Sequence, residues 1–139
     1  MTIPVPLYRL PEAMACFNSA SLITLPYGAH VKVHTVDPIL EDGRLRIRNA
    51  RDSALRNGAA NPNVTLIWQS PYPHGWSLVV EGQAWANGPD LMIEYESGIL
   101  HRPQYHNDGP QWMWQDGECP VGNACPGTDQ AGDYLASTG

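Results

Sequence analysis

Arginine is concentrated in one stretch of this acidic chain. Residues 43–62, GRLRIRNARDSALRNGAANP, hold five of the eight basic residues: Arg44, Arg46, Arg48, Arg51 and Arg56. The stretch runs from an alternating strand into a short helical segment, and such a corner offers backbone N–H groups and a helix dipole that favour an anion. Guanidinium groups bind phosphate bidentately. The stretch therefore predicts a phosphate site, with the solvated outer face of a strand as the alternative.

Three polar residues alternate along a second stretch. His30, Lys32 and His34 stand at every other position of the run His30–Val36, so their side chains share one face of a strand. The two imidazoles are about 13 Å apart along a strand, which is too wide for one metal ion without another ligand between them. We therefore expect barrel-lining or cofactor-contacting residues here, and no metal site.

The three cysteines are too few for a disulfide framework and fit a reducing compartment. Cys16 lies on the apolar face of a predicted helix, where a buried small hydrophobe is expected. Cys119 and Cys125, six residues apart, leave three alternatives open. They can close a small disulfide loop, supply two zinc ligands together with His101 or His106, or remain thiols with neither role.

The sequence lacks the motifs of hydrolases and of nucleotide-binding phosphate loops. It has no nucleophile elbow, no Gly-Lys-Ser loop and no convincing acid–base pair. If the protein is an enzyme, we expect a cofactor to perform the reaction, while the chain orients the reactants and provides the electrostatic environment.

Composition narrows the class of protein further. The chain has 139 residues, enough for one domain with a real core, and its 13 glycines and 13 prolines indicate a turn-rich fold. The net charge of −6 argues against a nucleic-acid partner. No secretory signal and no run of about 18 apolar residues is present, so we expect a soluble cytoplasmic protein without a membrane partner.

Alternation of apolar and polar residues predicts six strands. They are expected at residues 22–25, 30–36, 44–48, 64–68, 76–86 and 91–95. Because only short helices intervene and no βαβ alternation is visible, the pattern favours an antiparallel barrel.

Short helices and a tail complete the predicted organisation. Asp52 or Ser53 is expected to cap a helix over residues 54–60, and a brief turn or helix is expected at 97–101. Residues 1–102 would form the barrel domain. Residues 103–139 would form an extended Pro/Gly-rich tail, as part of the same domain or as an interface arm.

The order of these segments resembles that of a known family. The chain contains, in this order, LITL, a Gly-containing turn, HVKVHTV, an EDG turn, LRIRNARDS, a short helix ending in NP, VTLIW and VVEGQA. This order resembles that of the pyridoxamine 5'-phosphate oxidase-like, or flavin-reductase-like, split-barrel family. The resemblance covers roughly residues 10–102. It extends to small actinobacterial members that also carry an LHRP segment, here Leu100–Pro103, and a paired-cysteine tail. It implies a mainly β, six-stranded antiparallel split barrel with two or three short helices.

The same resemblance implies a homodimer that holds FMN at the subunit interface. A deazaflavin coenzyme of the F-420 type, or no cofactor, is the alternative. The residues that would bind the phosphate lie at the turn after the third strand and on the next helix: Arg48, Asn49, Arg51, Ser53, Arg56 and Asn57. Lys32 and His34 would lie under the isoalloxazine ring, and Gln69 would approach from the other subunit.

One position departs from the family pattern. Many flavin-binding members have a lysine two residues after the serine, followed by Asn-Leu, whereas this chain has Leu55 and a helix one residue shorter. Arg56 can supply the missing cation, since its fork grips a phosphate bidentately. Alternatively the pocket is reshaped for another ligand or is empty. The C-terminal residues of true pyridoxamine phosphate oxidases have no match, so that activity is not expected.

Two classes of function remain. The first is an FMN- or deazaflavin-dependent oxidoreductase acting on a small organic substrate, in which Lys32 would stabilise the reduced ring near its N1 position. Trp68 and Trp76 would shape the substrate pocket or serve as core aromatics. The second is a non-catalytic split-barrel protein that carries a flavin or another ligand. No single residue is predicted to be catalytic.

Overall fold

The structure is a computed structural model that describes residues 2–72 and 74–102. These residues form two compact units, each assembled from separate stretches of the chain. The described residues of unit 1 are 2–18, 68–72, 74–79 and 98–102, and unit 2 comprises residues 19–67 and 80–97. The predicted tail over 103–139, with both of its cysteines, lies outside the described residues.

Eight strands, two α-helices and one 3-10 helix make up the described chain. In order they are β1 (Thr2–Pro4), a 3-10 helix (Leu7–Arg9), α1 (Leu10–Met14), β2 (Ala20–Thr24), β3 (Lys32–Val36), β4 (Ile39–Glu41), β5 (Arg44–Ile47), α2 (Asp52–Ala60), β6 (Asn63–Trp68), β7 (Ser77–Asn87) and β8 (Asp90–His101). All six predicted strands are present, as β2, β3, β5, β6, β7 and β8. The mainly β architecture with short helices is therefore confirmed.

Unit 2 contains most of the sheet, in the strand order β3-β2-β6-β7-β8-β5-β4. The hairpin predicted from the first two runs is confirmed, because β2 and β3 pair antiparallel with Leu22 opposite His34. Gly28 in their turn has a φ of 72°, a left-handed conformation that glycine adopts without strain. β2 also pairs with β6, and β5 with β8, both antiparallel.

The sequence did not predict the short strand β4. It pairs with β5 through the turn at Asp42-Gly43, whose φ angles of 51° and 78° are those of a two-residue hairpin turn. The turn itself was predicted from the Glu-Asp-Gly sequence. The strand was missed because it has only three residues and follows directly on Pro38.

Helix α2 packs against β7 and β8 within unit 2. A Cβ atom at Gly58 would stand 3.2 Å from Leu91 Cδ1 and 3.6 Å from Ala84 Cβ, so the helix approaches these strands closely and an added Cβ would displace the Leu91 side chain slightly. The helix begins at Asp52, two residues before the predicted start, with Arg51 at the N-cap and no side-chain cap. Neither predicted cap is used in that way.

Apolar side chains of the sheet and α2 form the core of unit 2. The buried members are Ala20, Leu22, Leu45, Ile47, Ala54, Val64, Leu66, Val80, Ala84, Leu91, Met92 and Ile93. On β2, β5, β6 and β7 they occupy alternate strand positions, whereas on β8 the three consecutive residues Leu91, Met92 and Ile93 are buried.

Unit 1 pairs β1 with the end of β8. Ile3 lies opposite Leu100, and the Val5 N–H donates to the Gly98 carbonyl oxygen at 2.8 Å. The predicted turn or helix at 97–101 is wrong, because β1 supplies these residues with a strand partner. No helix in the described part of the chain has the length and apolar character needed to cross a membrane.

Candidate functional site

The corner between β5 and α2, residues 48–51, is fixed by the turn that joins β7 to β8. Asn49 has a φ of 50°, a left-handed conformation that Asn tolerates better than most residues. Its N–H donates to Asp90 Oδ1 at 3.0 Å, and the Ala50 N–H donates to the Pro89 carbonyl oxygen at 2.9 Å. Two hydrogen bonds to a distant segment therefore set the path of the corner.

The two arginines of β5 are held in ion pairs. Arg46 contacts Glu41 Oε1 at 2.9 Å and Asp90 Oδ2 at 2.7 Å. Arg44 contacts Glu94 Oε2 at 2.9 Å, and its guanidinium carbon lies 5.8 Å from the centre of the Trp85 ring. Both residues are therefore largely neutralised by acidic partners.

The contacts around Asp90 also shift the pKa values of Asp90 and Arg46. The Asn49 N–H, and after it the guanidinium of Arg46, hold the pKa of Asp90 below its ordinary value of 3.8. The hydrogen bond to Asp90 raises the pKa of Arg46. Both groups stay ionised near neutral pH, so their pairing is a fixed part of the corner.

A pocket of about 330 Å³ opens between the end of β3 and this corner. The polar residues in its walls include His34, Asp37, Arg48, Asn49 and Arg51. The structure thus brings together four of the predicted cofactor-binding residues and adds Asp37, which was not among them.

Arg48 and Arg51 give this pocket its positive charge. The Arg48 side chain is 68% exposed and lies 3.7 Å from Glu41 Oε2, a long and exposed ion pair that contributes little. Arg51 is exposed, and no ion pair joins it to another described residue. Because α2 has no side-chain cap, the N–H groups of its first turn are also available to an anion.

A histidine–serine pair stands beside the arginines. His34 Nε2 and Ser53 Oγ are hydrogen-bonded at 2.9 Å, whereas His34 Nδ1 is buried with no hydrogen-bond partner among the described residues. The tautomer of His34 decides which of the two atoms donates this hydrogen bond. His34 lines the pocket, whereas Ser53 is not among the residues of its wall.

The other predicted site residues lie outside the pocket walls. Lys32 is exposed on β3, and Arg56 is exposed on α2. Asn57 donates from Nδ2 to Thr24 Oγ1 at 3.2 Å, a contact that joins α2 to β2. Gln69 is exposed in unit 1, in the loop after β6. Their contacts with a cofactor remain predictions.

Sequence reasoning missed two acidic residues near the corner. Asp90 anchors Asn49 and Arg46, and Asp37 lines the pocket while its Oδ1 accepts a hydrogen bond from Ser19 Oγ at 2.6 Å. Asp37 directly follows the alternating run that ends at Val36. A polar residue at the end of a strand next to an arginine-rich corner was the available signal.

Other candidate groups are structural. Cys16 is buried in unit 1, as predicted, and burial raises the pKa of its thiol to about 11, so it stays protonated and unreactive at neutral pH. Trp68 and Trp76 are buried in unit 1 as core aromatics. Within residues 2–72 and 74–102, no three His, Cys, Asp or Glu side chains are close enough together to hold a metal ion.

Solved structures show which fold this protein has. A candidate pyridoxamine 5'-phosphate oxidase of Corynebacterium glutamicum has a TM-score of 0.53 and 14% identity, over 76% of this chain and 96% of that chain. A FAD-binding protein of Mesorhizobium loti has the same TM-score and identity, over 72% and 96%. The chain therefore has the split-barrel fold, which confirms the resemblance inferred from its sequence.

Sequence similarity then gives the family. Two uncharacterized proteins, one of Mycobacterium bovis and one of Mycobacterium tuberculosis, are each 37% identical over 97 residues, which is 62% of this chain and 68% of the relative. The chain belongs to the same family as these two mycobacterial proteins. No protein-family model matches it.

Proposed function

We propose that this protein binds a phosphate-bearing flavin-type cofactor in the corner pocket and acts as an oxidoreductase on a small organic substrate. The observation that carries the proposal is the pair Arg48 and Arg51 in the wall of one pocket, with little neutralisation, beside the uncapped start of α2. Two guanidinium groups and a helix N-terminus together favour a phosphate group.

The remaining groups of the pocket fit such a ligand. His34 lines the pocket together with Arg48 and Arg51, and its hydrogen bond to Ser53 holds the imidazole in place. Asn49, whose backbone N–H is already engaged by Asp90, would contact the ligand through its side chain.

FMN is the proposed cofactor, with a deazaflavin coenzyme as the alternative. Solved proteins of this fold include one described as FAD-binding, which supports a flavin by analogy of fold alone. A bound flavin or deazaflavin would supply hydride transfer to or from the substrate. Lys32 would place a positive charge near the reduced ring and so stabilise its anionic form electrostatically.

The experiment is a spectrum followed by titrations. Purified protein is expected to show flavin or deazaflavin absorption, or to bind FMN, FAD or the deazaflavin coenzyme at micromolar concentration when tryptophan fluorescence is followed. Failure of all three coenzymes to bind would overturn the proposal.

A non-catalytic carrier on the same barrel is the second candidate. Leu55 stands where many flavin-binding members of the family that the sequence resembles have lysine, and Asp52 places a carboxylate in the first turn of α2, where it opposes a phosphate. Both features weaken the anion site. A carrier would bind the cofactor without accelerating its reduction or reoxidation relative to the free coenzyme, and stopped-flow absorbance separates the two functions.

We also propose that the protein is a homodimer. The hairpin of β2 and β3 exposes four large apolar side chains, which are 48–75% exposed: Leu25, Tyr27, Val31 and Val33. Among the described strands β3 lies at one end of the sheet, and exposed apolar residues on an edge strand are typical of a protein contact. Sedimentation equilibrium should give a dimer mass that falls in Val33→Lys. A monomeric wild type contradicts the proposal.

A further inference from the structure

One carboxylate lies in the wall of an otherwise cationic pocket. Asp37 follows the last residue of β3 and lines the same pocket as Arg48 and Arg51. It is exposed, and no ion pair joins it to another described residue. A carboxylate in this position opposes the binding of a bare anion, because like charges repel in a partly desolvated site.

Asp37 is held in place. Its Oδ1 accepts a hydrogen bond from Ser19 Oγ at 2.6 Å, which fixes the carboxylate relative to β2. Oδ2 forms no hydrogen bond with another described residue, and a carboxylate oxygen accepts up to two hydrogen bonds. The wall of the pocket therefore presents donors from Arg48 and Arg51 together with one acceptor.

We propose that Asp37 is a binding residue that accepts hydrogen bonds from hydroxyl groups next to the ligand's phosphate. The pocket then selects phosphate esters carried on a polyhydroxylated chain and rejects anions that lack hydroxyl donors. Ribityl phosphate, the chain of FMN, belongs to this class, so the inference rests on the proposed function and deepens it. Asp37 then contributes to specificity in two ways, because it repels anions without hydroxyl groups and attracts ligands that carry them.

The test compares ligands that differ in hydroxyl content. FMN and ribose 5-phosphate carry hydroxyl groups beside the phosphate, whereas phenyl phosphate carries none. Isothermal titration calorimetry measures each with the wild type, with Asp37→Ala and with Asp52→Ala. Asp52 is the matched control, because it is an exposed carboxylate in the first turn of α2 but does not line the pocket.

Asp37→Ala is expected to weaken FMN and ribose 5-phosphate by about tenfold, since a charge-assisted hydrogen bond is lost. Phenyl phosphate should bind Asp37→Ala at least as tightly as it binds the wild type, because repulsion is relieved. Asp52→Ala also removes a negative charge, so it should weaken none of the three. Ser19→Ala, which leaves the carboxylate but removes its anchor, should weaken the two hydroxylated ligands by a smaller factor.

Each outcome decides the proposal. Unchanged affinity for both hydroxylated ligands in Asp37→Ala overturns it, as does an equal loss for phenyl phosphate or the absence of binding by any ester. If ribose 5-phosphate shows the expected loss but FMN binds the wild type no more tightly than ribose 5-phosphate, Asp37 keeps its role and the flavin function fails. If FMN binds tightly and is insensitive to Asp37, the flavin function stands and this inference fails. Thermal unfolding of each variant confirms that it is folded.

Discussion

Unit 2 contains two pockets with a pair of arginines each, and they differ in what surrounds the guanidinium groups. The pocket beside β5, about 230 Å³, is lined by Arg44 and Arg46 together with Glu41 and Asp42. The corner pocket, about 330 Å³, is lined by Arg48 and Arg51. In the first pocket carboxylates within 3 Å occupy both arginines, whereas in the second the shortest ion pair is 3.7 Å.

The comparison shows that spacing along a strand does not assign a function to an arginine. Arg44, Arg46 and Arg48 alternate identically in the sequence, yet carboxylates lie within 3 Å of the first two, whereas the ion pair of the third is 3.7 Å long. The difference comes from acidic residues on β4 and β8, which lie close to β5 only in the folded chain.

The largest expected effect is on ligand affinity, which should depend on the arginines of the corner pocket and not on those of the β5 pocket. Arg48→Ala/Arg51→Ala should weaken FMN binding by at least about a hundredfold, since each arginine contributes a charge-assisted hydrogen bond of roughly 1.5 kcal/mol or more. Fluorescence titration measures the dissociation constant.

The matched control for charge is Arg9→Ala/Arg44→Ala. It also removes two positive charges, but from residues that do not line the corner pocket and are not predicted to bind the cofactor, so affinity should change by less than about threefold, through screened long-range electrostatics alone. Equal losses in the two double variants would mean that net charge, and not the pocket, controls binding.

A second expected effect concerns acid stability and the anchor of the corner. Because the folded state holds the pKa of Asp90 below its ordinary value, the stability contributed by Asp90 is complete above about pH 4 and is lost as the pH falls through the lower, folded-state pKa. The wild type should therefore lose more free energy of unfolding than Asp90→Asn between about pH 5 and about pH 3. Urea unfolding at the two pH values measures both losses, and equal losses would exclude Asp90 as the linked group.

The smallest expected effect is on the free energy of unfolding, when the exposed ion pair between Arg44 and Glu94 is removed. The Arg44 and Glu94 side chains are each about half exposed, so Arg44→Gln should change the free energy of unfolding by about 0.5 kcal/mol or less. FMN affinity should stay at the wild-type value. A loss of several kcal/mol in urea unfolding would show that the stacking of Arg44 on Trp85 contributes more than an exposed ion pair.

Most of the fold was predictable because it depends on local pattern. The six main strands carry alternating or continuous apolar residues, and turns at Gly28 and Asp42-Gly43 follow from residues that accept left-handed φ values. β4 was missed because it is a three-residue strand that follows Pro38. β1 and the end of β8 depend instead on partners far away in the chain. β1 ends at Pro4 and the end of β8 contains Gly98, so neither segment indicates a strand until the two pair.

The sequence predicted several residues of the corner pocket, but it did not predict which contacts they would make with one another. The sequence indicated Arg48, Asn49, Arg51 and His34 as candidates, and the structure places them around one pocket. It gave no sign that Ser53 would bond to His34 instead of capping α2, because strand β3 and the helix meet only in three dimensions. Asp37 was read as a scattered carboxylate for the same reason.

The hydrogen bond between Asn49 and Asp90 gives the corner an intrinsic reporter. An amide proton donated to a carboxylate resonates downfield and exchanges slowly with solvent when the bond persists. Asn49 lies in the pocket wall, whereas Asp90 is 41 residues further along the chain, at the start of β8. The NMR signal of the Asn49 amide proton therefore reports movement of the pocket wall, although its hydrogen-bond acceptor, Asp90, does not line the pocket. Sequence changes in that remote turn would alter how rigidly the pocket is held without changing any residue in its walls.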